Sequence, residues 1–121
     1  MSGEPHVPAA DETMELLPAD VAQWHQLPAD QRPCLLDCRE PEEVEICRIL
    51  GSICIPMADI AAAVGRLRDL SQHGLVIYCH HGMRSLHAAR YLRERGIENA
   101  FSMTGGIELW ARQIDPGMKR Y

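Results

Sequence analysis

No apolar stretch in the sequence approaches the length of a membrane span, and no basic segment leads into an apolar run. The first absence excludes a spanning helix and the second a secretory leader, so a cytoplasmic protein that does not engage membranes is expected. Basic charge is also scarce: Lys+Arg 12 against Asp+Glu 17 leaves a net charge of −5. Nucleic-acid binding through phosphate contacts therefore has no electrostatic footprint. No C-x-x-C occurs, although cysteines stand at 34, 38, 47, 54 and 79. An odd number of cysteines in a chain without an export signal argues for reduced thiols rather than a disulfide framework, and the spacings do not suit a zinc site. Cys34, Cys38, Cys47 and Cys54 are expected as core or near-core filler.

What is present fits one ordinary globular domain, since 121 residues that are 46% hydrophobic and 24% charged are enough for a core of their own. Residues 1–12 hold Gly3, Pro5, Pro8 and several charges without periodicity, so a disordered tail is expected there, followed by a domain over residues 13–121.

The chain is organised around residues 75–85. Leu75, Val76, Ile77 and Tyr78 form an apolar run suited to a buried parallel strand. From Leu86 the apolar residues recur at helical spacing, which predicts an amphipathic helix with Ser85 as its N-cap. Cys79 then lies at the carboxyl end of a strand, in a short loop that ends at a helix N-terminus. Inward-pointing backbone N–H groups and a positive helix end favour anions, hence the thiolate over the thiol. The same cradle suits the anionic outer sulfur of a persulfide. Adjacent His80 and His81 diverge in a tight loop and complete no plausible metal sphere, so they are expected as pocket walls.

The rest of the chain alternates strands and helices. Residues 14–17 read as an edge strand, 18–25 as a helix with Pro18 in its first turn, and 34–37 as a second strand. Asp37 and Arg39 then fall on the same rim as Cys79, because side chains gather beyond the carboxyl ends of parallel strands. A short helix over 41–46, a third strand near 53–55 and a helix over 56–70 with Ile60, Val64, Leu67 and Leu70 on one face come next. After a Gly96 stop, residues 100–103 form the last strand. Gly105 and Gly106 let the backbone turn closely beside the Cys79 loop before a final helix over 107–113, with Trp110 in the core. The pattern predicts an α/β protein, doubly wound, with a central and mainly parallel sheet of about five strands flanked by helices.

Three blocks in order resemble the rhodanese-like sulfurtransferases. Cys79-His80-His81-Gly82-Met83-Arg84-Ser85 resembles the family's active-site loop, C-x-x-G-x-R-S. The segment from Leu35 to Glu43 is similar to its D-x-R-x-x-x-E block, and Gly105-Gly106-Ile107-Glu108-Leu109-Trp110 to its closing G-G-x-x-x-W. The nearest chemical rival, the cysteine phosphatases, needs five residues between cysteine and arginine to encircle phosphate. Here there are four, a smaller pocket suited to sulfur.

The resemblance implies that Cys79 takes sulfane sulfur from a donor such as thiosulfate, or from a persulfide, and passes it to cyanide or a thiol acceptor such as a sulfur-relay protein. His80, His81, Gly82, Met83, Arg84 and Ser85 would hold the substrate, and Asp37 and Arg39 would support the loop. For Arg39 and Glu43 a structural role is preferred. No metal, nucleotide or organic cofactor is implied. Arg48 and Leu50 stand where the family carries histidine and proline, so Arg48 is either a further anion contact or a surface charge. Two other readings stay open: a dedicated protein-to-protein sulfur carrier for cofactor or tRNA thiolation, and a non-catalytic binding module. The ending from Trp110 to Pro116, with Arg120 and Tyr121, resembles the tail of rhodanese domains fused to adenylyltransferases.

Overall fold

The structure is a computed structural model and describes residues 12–121. Apart from Glu12, the expected N-terminal tail lies outside the described residues. The chain runs β1 (Glu15–Leu16), α1 (Pro18–His25), β2 (Cys34–Asp37), α2 (Pro41–Ile46) and β3 (Ile53–Cys54). Two short 3-10 turns lead into α3 (Val64–Leu70), followed by β4 (Leu75–Tyr78), α4 (Met83–Glu94), β5 (Ala100–Met103) and α5 (Gly106–Gln113). All pairings are parallel and the strand order is β1-β5-β4-β2-β3, so the expected doubly wound sheet of five strands is the observed one.

The sheet is covered on both faces, which explains why β4 is apolar at every position rather than alternating. Leu36, Leu75, Ile77 and Ala100 pack with Leu67, Ala88, Ala89 and Leu92 of α3 and α4. On the opposite face Leu35, Val76, Tyr78, Phe101 and Met103 meet Val21 and Trp24 of α1 and Ile107 and Trp110 of α5. Among the described residues, no helix is long and apolar enough to cross a membrane.

Two expectations about helices need correction. The helix expected over 56–70 is three pieces: 3-10 turns at Met57–Asp59 and Ala61–Ala63, then α3. A 3-10 turn rotates about 120° per residue, so the apolar phase set at Ile60 does not carry through to the end of α3. Leu67 is fully buried while Leu70 is 45% exposed. The second correction concerns α4, which begins at Met83 with Gly82 as its cap at φ 103°, so Ser85 lies inside the first turn instead of capping it. The left-handed Gly82 folds the loop back over Cys79 and draws Ser85 inward, where its hydroxyl is buried.

The broken helix gives contrasting expectations for its two leucines. Leu67→Ala should cost about 2–4 kcal/mol of unfolding free energy through a core cavity, and Leu70→Ala less than about 1 kcal/mol. Urea unfolding of both variants checks the order.

Candidate active site

Cys79 follows β4 directly, and its sulfur is surrounded by donors. The Gly82 N–H donates to Sγ at 3.1 Å and the Ser85 N–H at 3.4 Å. Ser85 Oγ is 3.5 Å from Sγ and 2.7 Å from Ser102 Oγ. When Cys79 is ionised its sulfur can only accept, so Ser85 donates to it and Ser102 donates to Ser85. Behind the loop, the first turn of α5 holds the outward carbonyls: Ile107 N–H donates to Cys79 O at 2.9 Å and Glu108 N–H to His80 O at 3.1 Å. A Cβ at Gly106 would overlap those same two carbonyls, which is why the backbone there must be glycine, at φ 61°.

These bonds decide the ionisation of Cys79. A hydrogen bond with the Cys38 thiol is the largest influence; the Ser85 hydroxyl and the Ser85 and Gly82 N–H groups add to it. Burial opposes them, yet the thiol is pushed down to about 4. Cys38 is pushed the other way, up from its ordinary value, by its bond to Cys79 and by burial.

A charged network runs beside the loop. Asp37 and Arg39 form a wholly buried ion pair: Asp37 Oδ1 accepts from Arg39 Nε at 2.9 Å and Oδ2 from Nη2 at 2.7 Å. Arg39 also donates to the carbonyls of Glu43 and Cys47 and to the Tyr121 hydroxyl, which ties α2 and the chain after it to the end of β2. Glu43 on α2 accepts two bonds from Arg84, at 2.8 and 2.9 Å, and a third from Tyr121 at 2.8 Å. Arg84 therefore holds the Glu43 carboxyl down at about 2, and Glu43 in turn raises Arg84. Tyr121 stacks on His80, ring centroids 3.8 Å apart, and His80 stacks on His81 at 3.9 Å, so the two histidine rings lie together instead of diverging as expected.

The family described as a rhodanese-like domain matches residues 18–113. The chain belongs to the rhodanese-like domain family. Among curated relatives, the thiosulfate sulfurtransferase GlpE of Pseudoalteromonas translucida is 33% identical over 83% of this chain and 93% of that protein. A probable adenylyltransferase/sulfurtransferase, MoeZ of Mycobacterium tuberculosis, is 31% identical over 88% of this chain. The chain spans about a quarter of the first curated relatives it matches, 26% in the case of MoeZ. Among solved structures, a rhodanese-related protein from Thermoplasma volcanium has a TM-score of 0.70 at 28% identity, over 84% of this chain and 94% of that one. The human single domain sulfurtransferase TSTD1 shares the fold at 22% identity, with a TM-score of 0.70 over 84% of this chain and 97% of that one.

Within this rhodanese-like domain, the residues singled out in the sequence part into two groups. Gly82 and Ser85 line the Cys79 sulfur, and His80, His81 and Arg84 stand around the loop. Met83 is 66% exposed at the start of α4. Arg48 is also exposed, but it lines a surface hollow with Pro41, Val44, Glu45, Cys54 and Pro56 rather than the Cys79 loop. Arg84 is not the unpaired charge expected of an anion trap, because Glu43 already faces it. Sequence reasoning missed Ser102 and Tyr121 and undervalued Cys38. Ser102 had a signal, being the single hydroxyl in an otherwise apolar strand, Ala100-Phe101-Ser102-Met103. Cys38 had another: it follows β2 as Cys79 follows β4.

With Cys79 pushed down to about 4, its alkylation rate should titrate near that pH and stay flat between about pH 6 and pH 8. Ser85→Ala removes one donor and should move the midpoint upward. Peptide-mapped iodoacetamide kinetics measure both, and an ordinary thiol midpoint in the unsubstituted protein would contradict the arrangement.

Proposed function

We propose that this chain is a sulfurtransferase that carries sulfane sulfur as a Cys79 persulfide. The observation that supports it most is the ring of N–H and hydroxyl donors on Cys79 Sγ, which suits a thiolate and then the anionic sulfur added to it. In the first half-reaction the Cys79 thiolate attacks the sulfane sulfur of thiosulfate, the S–S bond of the donor breaks, and sulfite leaves with the electron pair. In the second, an acceptor thiolate or cyanide attacks the outer sulfur and Cys79 returns as thiolate. Protein atoms alone carry the sulfur through both steps, with no cofactor required.

The remaining residues take roles around that sulfur. The N–H groups of residues 80–85 stabilise negative charge, and Arg84 adds the part of its field that Glu43 leaves uncancelled. His80, His81 and Met83 form the walls and rim. Asp37 and Arg39 are positioning residues that fix α2, and through Glu43 fix Arg84. Arg48, set on its own hollow, is assigned to long-range attraction of an anionic donor rather than contact.

Similarity to GlpE, over nearly its whole length, favours thiosulfate as a donor. Similarity to MoeZ and to the adenylyltransferase and sulfurtransferase uba4 of Ogataea parapolymorpha favours a second reading, a sulfur-relay domain over residues 13–121 that receives sulfur from a protein persulfide and serves cofactor or tRNA thiolation. Five free thiols suit a reducing compartment, so a cytoplasmic setting is part of the proposal.

Cys79→Ser should abolish thiosulfate-to-cyanide transfer, read as thiocyanate formed, while folding is kept. Arg84→Ala should lower kcat/KM for thiosulfate by about tenfold, roughly 1.4 kcal/mol, because Glu43 already offsets much of its charge. Substantial turnover by a folded Cys79→Ser protein would end this reading. Negligible thiosulfate turnover combined with rapid sulfur uptake from a protein persulfide would select the relay.

A further inference from the structure

Cys38 stands next to Cys79 on the neighbouring strand. The β2–β4 ladder pairs Asp37 with Tyr78, and Cys38 N–H continues it by donating to Tyr78 O at 3.1 Å, so Cys38 and Cys79 are the next neighbours in register. Adjacent parallel strands lie about 4.8 Å apart. That spacing falls within the Cα separation of about 4.4–6.8 Å that a disulfide tolerates. Both side chains enter the same core cluster on the α3–α4 face, and both residues are buried, at 0% and 1% exposure. Of the other cysteines, Cys34 lies at the far end of β2, and Cys54 pairs with Asp37 and so faces the opposite side of the sheet from Cys38. The two sulfurs are thus held side by side and away from bulk water.

The thiol of Cys38 has one proton and two acceptors within reach, the Cys79 sulfur and the Tyr78 carbonyl at 3.4 Å. While Cys79 is a thiolate, its sulfur is the stronger acceptor. Once Cys79 carries a second sulfur, its own Sγ is neutral and accepts poorly. Cys38 Sγ is then left against an electrophilic sulfur.

We propose that Cys38 is a resolving thiol: when no acceptor arrives, it discharges the Cys79 persulfide as hydrogensulfide and leaves a Cys38–Cys79 disulfide. This rests on the persulfide reading of Cys79. The Cys38 sulfur attacks Cys79 Sγ, the persulfide S–S bond breaks, and the outer sulfur departs with the electron pair and the Cys38 proton as HS⁻. One S–S bond forms as another breaks. The sulfane sulfur is reduced to sulfide as the two cysteine sulfurs are oxidised, so no outside oxidant enters. An external dithiol then reduces the disulfide, becoming oxidised itself, and restores both thiols. The domain is thereby given a second activity, sulfide release driven by a dithiol, beside transfer to an acceptor.

The test loads reduced, desalted full-length protein with thiosulfate in the absence of acceptor, then follows sulfide as methylene blue, intact mass, and cysteine linkage by peptide mapping after acid quench. Wild type is expected to release close to one sulfide per loaded chain and to lose two hydrogens in mass, with Cys38 linked to Cys79. Cys38→Ser and Cys38→Ala should instead retain the added sulfur and release sulfide at least about tenfold more slowly. The proposal is overturned if wild type keeps its persulfide unlinked, if the variants discharge as fast, or if Cys79 links to Cys34, Cys47 or Cys54. A parallel arm oxidises unloaded wild type with diamide. If thiosulfate loads neither wild type nor variants, the donor reading is at fault; a Cys38–Cys79 link in the diamide arm then still supports the resolving pair, and its absence overturns it.

Discussion

The carbonyls of Cys79 and His80 are held by the first amides of α5, and the geometry of the loop depends on that capture. A peptide unit points its C=O and N–H in opposite directions, so fastening two carbonyls behind the loop fixes the planes of its first two peptide units and turns the N–H groups of His80 and His81 away from α5. The helix gains as well, because the N–H groups of its first turn have no partner within the helix and here find one. Contact this close is possible only because Gly106 has no Cβ to collide with the carbonyls it approaches. A glycine pair about twenty-five residues after the cysteine is thus part of the same site as the cysteine itself.

The charged network answers a different need, the placement of α2. That helix buries none of its residues in the core, so hydrophobic packing does little to fix it. The buried Asp37–Arg39 pair supplies the attachment, since the guanidinium reaches the carbonyls of Glu43 and Cys47 as well as the carboxylate that neutralises it. Such a pair contributes little net stability against an apolar alternative, but losing one partner strands a buried charge, which makes the arrangement specific. Glu43, so placed, fixes Arg84. The thiolate consequently relies on hydrogen bonds more than on an unpaired cation, in keeping with the dominance of Cys38, Ser85 and Gly82 among the influences on Cys79.

Burial of Cys79 connects these features to chemistry. At 1% exposure its sulfur is stabilised by oriented protein donors in place of water, and such donors act more strongly where the local dielectric is low. The enclosure that stabilises the thiolate also presses it against Cys38, a neighbour that the parallel register makes unavoidable. Tyr121 adds to the enclosure from far along the chain by stacking on His80 and bonding both Arg39 and Glu43.

Local pattern was enough for the strand–loop–helix unit around Cys79, the parallel α/β class and the three motif blocks, because each depends on residues near one another in sequence: an apolar run, a glycine, a helical repeat. Local pattern also misled. The apolar spacing from Ile60 to Leu70 fitted one helix, yet 3-10 turns break its phase, and Ser85 had a capping residue's chemistry but is drawn inside by a glycine three positions earlier. The partners of the site were decided by tertiary structure alone. Strand order brings Ser102 beneath Ser85 and Cys38 beside Cys79, and the chain's return brings Tyr121 onto His80. The sequence by itself determined the cysteine at the end of β4 and the loop that bears it, since that loop is built from consecutive residues. Which side chains bond to that sulfur, and which charge faces Arg84, was settled only when non-consecutive strands came into register, because hydrogen bonds depend on distances in space that sequence separation does not encode.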